Sequence, residues 1–135
     1  MRTDHQEVEN MGDRDDIRQV IEMAYIEGIH AEQDDAKVKA GFHPEFRMLV
    51  RRDADLLTVD PESFLAKVKE RRAVDPGFFE QELAYEIPMI DIEGATAVAR
   101  IELSRGGVHL FTDFQLLYKF DDGWKIVSKT FHSHT

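Results

Sequence analysis

The apolar residues of this chain change their period once, at the breaker-rich stretch Val74-Asp75-Pro76-Gly77. Before it they recur at helical spacing; after it they alternate with polar residues, as in half-buried strands. Ile17, Val20, Ile21, Ala24, Tyr25 and Gly28 share one face of an amphipathic helix of about four turns. The carboxylates between Asp13 and Asp16 suit its start. A short second helix is expected from Asp34 to Ala40, closed by Gly41 and stopped by Pro44. Phe46 to Val50 reads as a short strand and Arg51 to Asp55 as a polar turn. Asp60 as N-cap and Pro61 at the first helical position open a third helix, with Phe64, Leu65 and Val68 on one face. VDPGFF is then a loop.

Beyond it, LAYEIPMIDI is a strand interrupted at Pro88, which suggests an edge or a bulge. Gly94 turns the chain into TAVARIEL, a clear alternating strand. SRGG is the next turn. The last block, Val108 to His134, is a long hairpin around a Gly-containing turn. Helices first and about four antiparallel strands after them make an α+β fold. Residues 1–12 are polar and aperiodic, and are expected to be a flexible tail before a single domain over 13–135.

The hairpin decides which charged groups share a face, because a one-residue slip inverts every side chain. An Asp122-Gly123 loop pairs Asp121 with Trp124 and sets Asp113 opposite His132. A three-residue loop, Asp121-Asp122-Gly123, pairs Phe120 with Trp124 and sorts the residues better. One face then collects Val108, Leu110, Phe114, Leu116, Tyr118, Phe120, Trp124 and Ile126. The other collects His109, Phe111, Asp113, Gln115 and Leu117 with Val127, Lys129 and Phe131. That second face mixes aromatics with convergent polar groups, the makeup of a ligand pocket. It also makes Asp113 and Lys129 charge partners on adjacent strands. His132 belongs with them only in the first register.

Composition narrows the partners. With 135 residues, 42% of them hydrophobic and 33% charged, the chain is one globular domain with a real core. A net charge of −10 argues against nucleic acid and against an anionic membrane surface. No run approaches the roughly 18 apolar residues of a spanning helix. The first residues lack the apolar core of a signal peptide, so cytoplasm is the default compartment. The absence of cysteine excludes disulfides and thiolate zinc sites. A metal site from His109, Asp113 and His132 needs one shared face, which the favoured register denies, and neither metal nor cofactor is expected.

Several segments resemble the nuclear transport factor 2-like superfamily, also called SnoaL-like or ketosteroid-isomerase-like. Within it they are most similar to the putative lumazine-binding group. The matching pieces are Tyr25-x-x-Gly28, Phe42-His43-Pro44, IDIEGATAVARIEL and FTDFQLLYKFDDGWKIVSKTFH. The resemblance implies a cystatin-like α+β cone, with a pocket between the concave sheet face and the helices, often in a dimer. It does not imply a reaction, since the fold hosts isomerases, cyclases, dehydratases and non-catalytic modules.

Ketosteroid isomerase, as a family, uses a first-helix Tyr and a strand Asp as oxyanion donors with a separate Asp base. Tyr25 and Asp113 match the first two. The strand FRMLV offers no base, and only Glu45 precedes it, so steroid-type isomerisation is not implied. Two classes follow. One is a domain that binds a small molecule of unknown identity in a pocket lined by Tyr25, His109, Asp113 and Lys129. Phe111, Gln115, Phe131, His132 and His43 complete its candidate ligand contacts. The other is a small acid-base enzyme in which Asp113, Tyr25 and Lys129 act on a compact cyclic or carbonyl-bearing substrate. The apolar outer hairpin face is too large to leave in water and predicts a homodimer through the sheet.

Overall fold

The computed structural model describes residues 4–135, with side chains from Met11 onward. Helix α1 (Asp4–Val20) continues without a break into a π-helical segment (Ile21–Ala31), followed by α2 (Asp35–Gly41). Strands β1 (Phe42–Arg52) and β2 (Asp55–Val59) precede α3 (Pro61–Val74) and α4 (Pro76–Glu80). The second half is all strand: β3 (Leu83–Glu93), β4 (Thr96–Arg105), β5 (Val108–Phe120) and β6 (Gly123–Ser133). These form one curved six-stranded sheet in the order β2-β1-β6-β5-β4-β3. Neighbours are antiparallel except β1 and β6, which run parallel and close the first part of the chain onto the last.

Local chemistry accounts for most boundaries. Asp34 caps α2 by accepting hydrogen bonds from the amides of Ala36 and Lys37 at 2.9 and 3.1 Å. Asp60 caps α3 through the Ser63 amide at 2.7 Å, with Pro61 in the first turn. The interruption at Pro88 is a register shift between Glu86 and Met89, and β3 is indeed an edge strand. Three elements depart from expectation. Helix α1 begins at Asp4, well before Asp13; of the expected tail, residues 1–3 lie outside the described residues and the remainder is helical. Asp55–Val59 forms β2, because Asp53 takes a left-handed φ of 54° and folds the polar turn into a hairpin. The VDPGFF loop contains the short α4, capped by Asp75.

The hairpin follows the favoured register in its distant half and, next to the turn, a third register that neither loop predicted. Phe120 pairs with Gly123 and Leu117 with Ile126, but Gln115 pairs with Lys129 and Asp113 with Phe131. One residue is absorbed by a bulge between Leu116 and Leu117. The half distant from the turn therefore has the favoured pairing, and Asp113 and Lys129 share a face. The half next to the turn does not: Trp124 and Ile126 are buried in the core rather than lying on the outer face with Phe120. The Trp124 indole N–H donates to Asp13 Oδ1 at 3.0 Å, and the Lys119 ammonium reaches the same oxygen at 2.9 Å. Helix α1 is thereby fixed across the hairpin.

The core lies between the helices and the concave face. Ile17, Ile21, Tyr25 and Ile29 from the first helix, and Phe64, Leu65 and Val68 from α3, pack on Ala99, Ile101, Leu103, Leu117 and Ile126. No helix among the described residues is long and apolar enough to cross a membrane.

Candidate functional site

Beneath the helices, the concave face carries a buried polar cluster. Asp113 on β5 and Lys129 on β6 are 0% and 4% exposed, and Lys129 Nζ stands 3.4 Å from Asp113 Oδ1. The Tyr25 hydroxyl donates to Asp113 Oδ2. Gln115 shares the face, two residues from Asp113 and directly opposite Lys129. The ammonium of Lys129 sits among three rings, with centroids at 4.6 Å (Phe131), 5.0 Å (Phe64) and 5.2 Å (Tyr25). Met48 sulfur lies 3.7 Å from it.

Burial dominates the electrostatics here. It pushes the Asp113 carboxyl above the usual carboxylate range, against the opposing pull of Lys129 and the Tyr25 hydroxyl. It lowers Lys129, against the opposing charge of Asp113. Tyr25 is raised well above the ordinary phenol value by burial and by the adjacent carboxylate, so it remains a hydrogen-bond donor.

His30 completes the group. The π-helical segment bonds i to i+5 and so brings residues five apart over one another. The His30 ring meets Tyr25 edge-on at 4.8 Å as a result. Burial first, then the positive charges of Lys129, Arg105 and Arg71, hold His30 well below the usual imidazole value, so it is neutral. Among the described residues, His30 Nε2, Asp113 Oδ1 and both amide atoms of Gln115 are buried without a hydrogen-bond partner. Such orphans are uncommon in native interiors, and these belong to one contiguous cluster.

A half-open cavity of about 740 Å³ adjoins this cluster. His30, Phe111, Phe78, Phe79, Arg71 and Arg105 are among its lining residues, whereas Tyr25, Asp113, Gln115 and Lys129 are not. Arg105 is itself almost buried: its guanidinium donates to the carbonyls of His30, Phe79 and Gln81 at 2.9–3.1 Å and lies over the Phe79 ring at 4.9 Å. It fixes the wall rather than swinging free. Phe111 packs edge-on against Phe131 at 5.6 Å and so joins the cavity to the Lys129 cage.

The expected site residues thus separate. Tyr25, Asp113, Lys129, Gln115 and Phe131 come together, and Phe111 bridges them to the cavity. His109 does not join them: a bulge where Leu103 and Ser104 meet Phe111 and His109 turns it to the outer face, 2.7 Å from Glu102. His132, opposite Thr112, is on that outer face too. His43 stacks on Phe120 at 4.8 Å and accepts from the Glu45 amide, away from the cluster. His30 was missed, because at a period of 3.6 it falls off the face that carries Tyr25. Gly28 and Glu27, whose carbonyls accept from Asp34 and Glu32 across wide turns, leave no sequence mark of the π-helix.

The family model described as putative lumazine-binding matches residues 12–132. None of the curated proteins matches the chain. Among solved structures, a nuclear transport factor 2-like protein of unknown function from Shewanella baltica is 27% identical. It aligns over 100% of this chain and 99% of its own with a TM-score of 0.69. One from Silicibacter pomeroyi is 18% identical, with a TM-score of 0.73 over 93% of this chain and 98% of its own. A third, from Novosphingobium aromaticivorans and described as having a cystatin-like fold, is 16% identical. Its TM-score is 0.69 over 96% of this chain and 87% of its own. Fold and sequence agree: the chain belongs to the putative lumazine-binding family of the nuclear transport factor 2-like superfamily.

Proposed function

We propose that this domain binds a small, flat, ring-containing molecule in the cavity that His30 and Phe111 line. The observation that carries the reading is the neutral His30 imidazole, whose Nε2 is buried without a partner at an aromatic wall. A neutral imidazole nitrogen gives one directional hydrogen bond, as donor or acceptor according to tautomer. Phe78, Phe79 and Phe111 supply apolar surface for a planar ring. Arg71 and Lys67 at the cavity favour a ligand with anionic or carbonyl character. Behind this wall, Tyr25, Asp113 and Lys129 hold His30 and Phe131 in place. The alternative, acid-base catalysis by Asp113 and Tyr25, needs those groups open to substrate, and it is His30 and Phe111 that line the cavity.

The family description makes lumazine, a planar bicycle with carbonyl and ring-nitrogen edges, the first probe. Titration followed by lumazine fluorescence should saturate at one molecule per chain, and His30→Ala and Phe111→Ala should each weaken it roughly tenfold, about 1.4 kcal/mol. Compounds released from the purified protein by heat and identified by mass spectrometry provide an independent readout. No saturable lumazine binding together with no stoichiometric released compound would sink the reading. So would binding indifferent to both substitutions.

A further inference from the structure

We propose that Glu102, His109 and His134 form a binding site for a divalent first-row transition ion such as zinc, on the outer face of the sheet. The site comes from three strands' worth of register. Glu102 on β4 is directly opposite Thr112 on β5, which is directly opposite His132 on β6. The three side chains form a row across the outer face. His134 follows His132 by two residues, and its amide bonds to the Leu110 carbonyl at 2.8 Å, which keeps the chain in line past the end of β6. It therefore returns to the same face. His109 precedes Thr112 by three residues and on a straight strand would point inward. The bulge at Leu110, skipped between the Leu103–Phe111 and Ser104–His109 pairs, turns it outward.

Two imidazoles and a carboxylate then converge. One donor atom from each lies within 4.8 Å of the others. His109 Nε2 is 2.7 Å from Glu102 Oε2, and the His109 and His134 rings stack at 3.9 Å. The Thr112 hydroxyl joins the same carboxylate oxygen at 2.7 Å to His134 Nε2 at 2.8 Å. Metal-bound donors at ~2.0–2.2 Å are ~3.4 Å apart in a tetrahedral site, so a shift of about an ångström in exposed side chains closes the set. His109 and His134 are exposed and have room for it.

The hydrogen-bond network places protons where an ion would sit. Both Nε2–H groups run to a single acceptor, Glu102, directly or through Thr112. The Thr112 hydroxyl and the Arg100 Nε, the latter at 2.7 Å from the other carboxylate oxygen, orient Glu102 from behind. On binding, each ring proton moves from Nε2 to Nδ1, which frees the Nε2 lone pair for the ion, and neither ring changes its charge. Two nitrogens and a carboxylate, with positions left open to water, suit zinc, nickel, cobalt or iron(II) rather than calcium or magnesium. His132, edge-on to His134 at 4.8 Å, is near enough to serve as a further donor.

The test is calorimetric titration of the untagged full chain with zinc chloride near neutral pH. One ion per chain is expected. His109→Ala, His134→Ala and Glu102→Gln should each weaken binding by roughly tenfold or more, since each deletes a ligand. His43→Ala, which removes an imidazole stacked on Phe120 away from the site, should keep binding within a few-fold. Long-range ¹H–¹⁵N spectra should show His109 and His134 passing from the Nε2–H to the Nδ1–H tautomer as zinc is added. Absence of saturable binding overturns the site, and so does binding that survives both histidine substitutions. A loss in His43→Ala as large as that in His109→Ala would overturn it as well, since the ion would then be held elsewhere.

Discussion

Lys129 offers the sharpest test of how the interior is held together. Its ammonium is 4% exposed and, among the described residues, its charged partner is Asp113 at 3.4 Å. At that separation and an effective dielectric of about 20, the Coulomb attraction is roughly 5 kcal/mol. Desolvating the two ions costs several kcal/mol each, so the pair as a whole is close to neutral for stability. Its members are not neutral singly. Lys129→Met fits the same slot, and its thioether suits a cage of Phe131, Phe64 and Tyr25. It leaves Asp113 buried against a carboxyl-raising environment with only Tyr25 donating. Asp113→Asn keeps the shape and leaves the ammonium among rings and the Met48 sulfur without the Asp113 charge.

Each single substitution should cost about 3–5 kcal/mol. For a domain of this size that lowers the melting temperature by roughly 10–20 °C. The double variant should lose less than about 2 kcal/mol, because no charge remains uncompensated. Urea unfolding of the four proteins closes a double-mutant cycle, and the coupling should exceed about 2 kcal/mol. Additivity within about 0.5 kcal/mol would refute the argument, since it would mean that neither group depends on the other. Lumazine titration on the same proteins separates the roles: Asp113 acts behind the cavity wall, so the folded double variant should still bind.

Two further outcomes follow from the packing. Phe114, Leu116, Tyr118 and Phe120 are 38–52% exposed on one strand face, and this surface is expected to be covered by a second copy of the chain. Sedimentation should give a dimer at tens of micromolar and a monomer for Leu116→Asp; a monomeric wild type would remove the expectation. Gly41 ends α2 where an added Cβ would stand 2.3 Å from Ala24 Cβ, so Gly41→Ala should destabilise by about 1–3 kcal/mol in urea unfolding. An unchanged midpoint would show that α2 can move off the first helix.

The sequence carried the architecture because the architecture follows from periodicity and punctuation. Asp60-Pro61, Pro88 and the alternation of TAVARIEL each act locally, and each appears where local chemistry puts it. Asp113, Lys129 and Tyr25 were legible for a related reason: a charge inside an apolar run has few places to go. The short β2 was not legible, since its pairing depends on the left-handed Asp53 and on β1 alongside, and its own residues are mostly exposed.

What escaped the sequence has one physical cause. The π-helical segment, the bulge at Leu110 and the register step at Leu116–Leu117 each insert a residue into an otherwise periodic element. An insertion leaves composition unchanged and inverts every facing beyond it, so a periodic reading stays self-consistent and places the wrong side chains together. It placed Trp124 and Ile126 outside, His109 inside, and His30 off the Tyr25 face. The same insertions carry the chemistry proposed here. The wide turn sets the His30 imidazole at the cavity wall, and the Leu110 bulge sets His109 beside Glu102. An irregular residue costs ladder hydrogen bonds and packing, and a protein gains little stability by retaining it. Restoring regularity should therefore be tolerated by the fold and not by the sites. Deleting Leu110 would return His109 to the inner face of a straight strand, and it should abolish zinc binding while the remaining sheet stays paired.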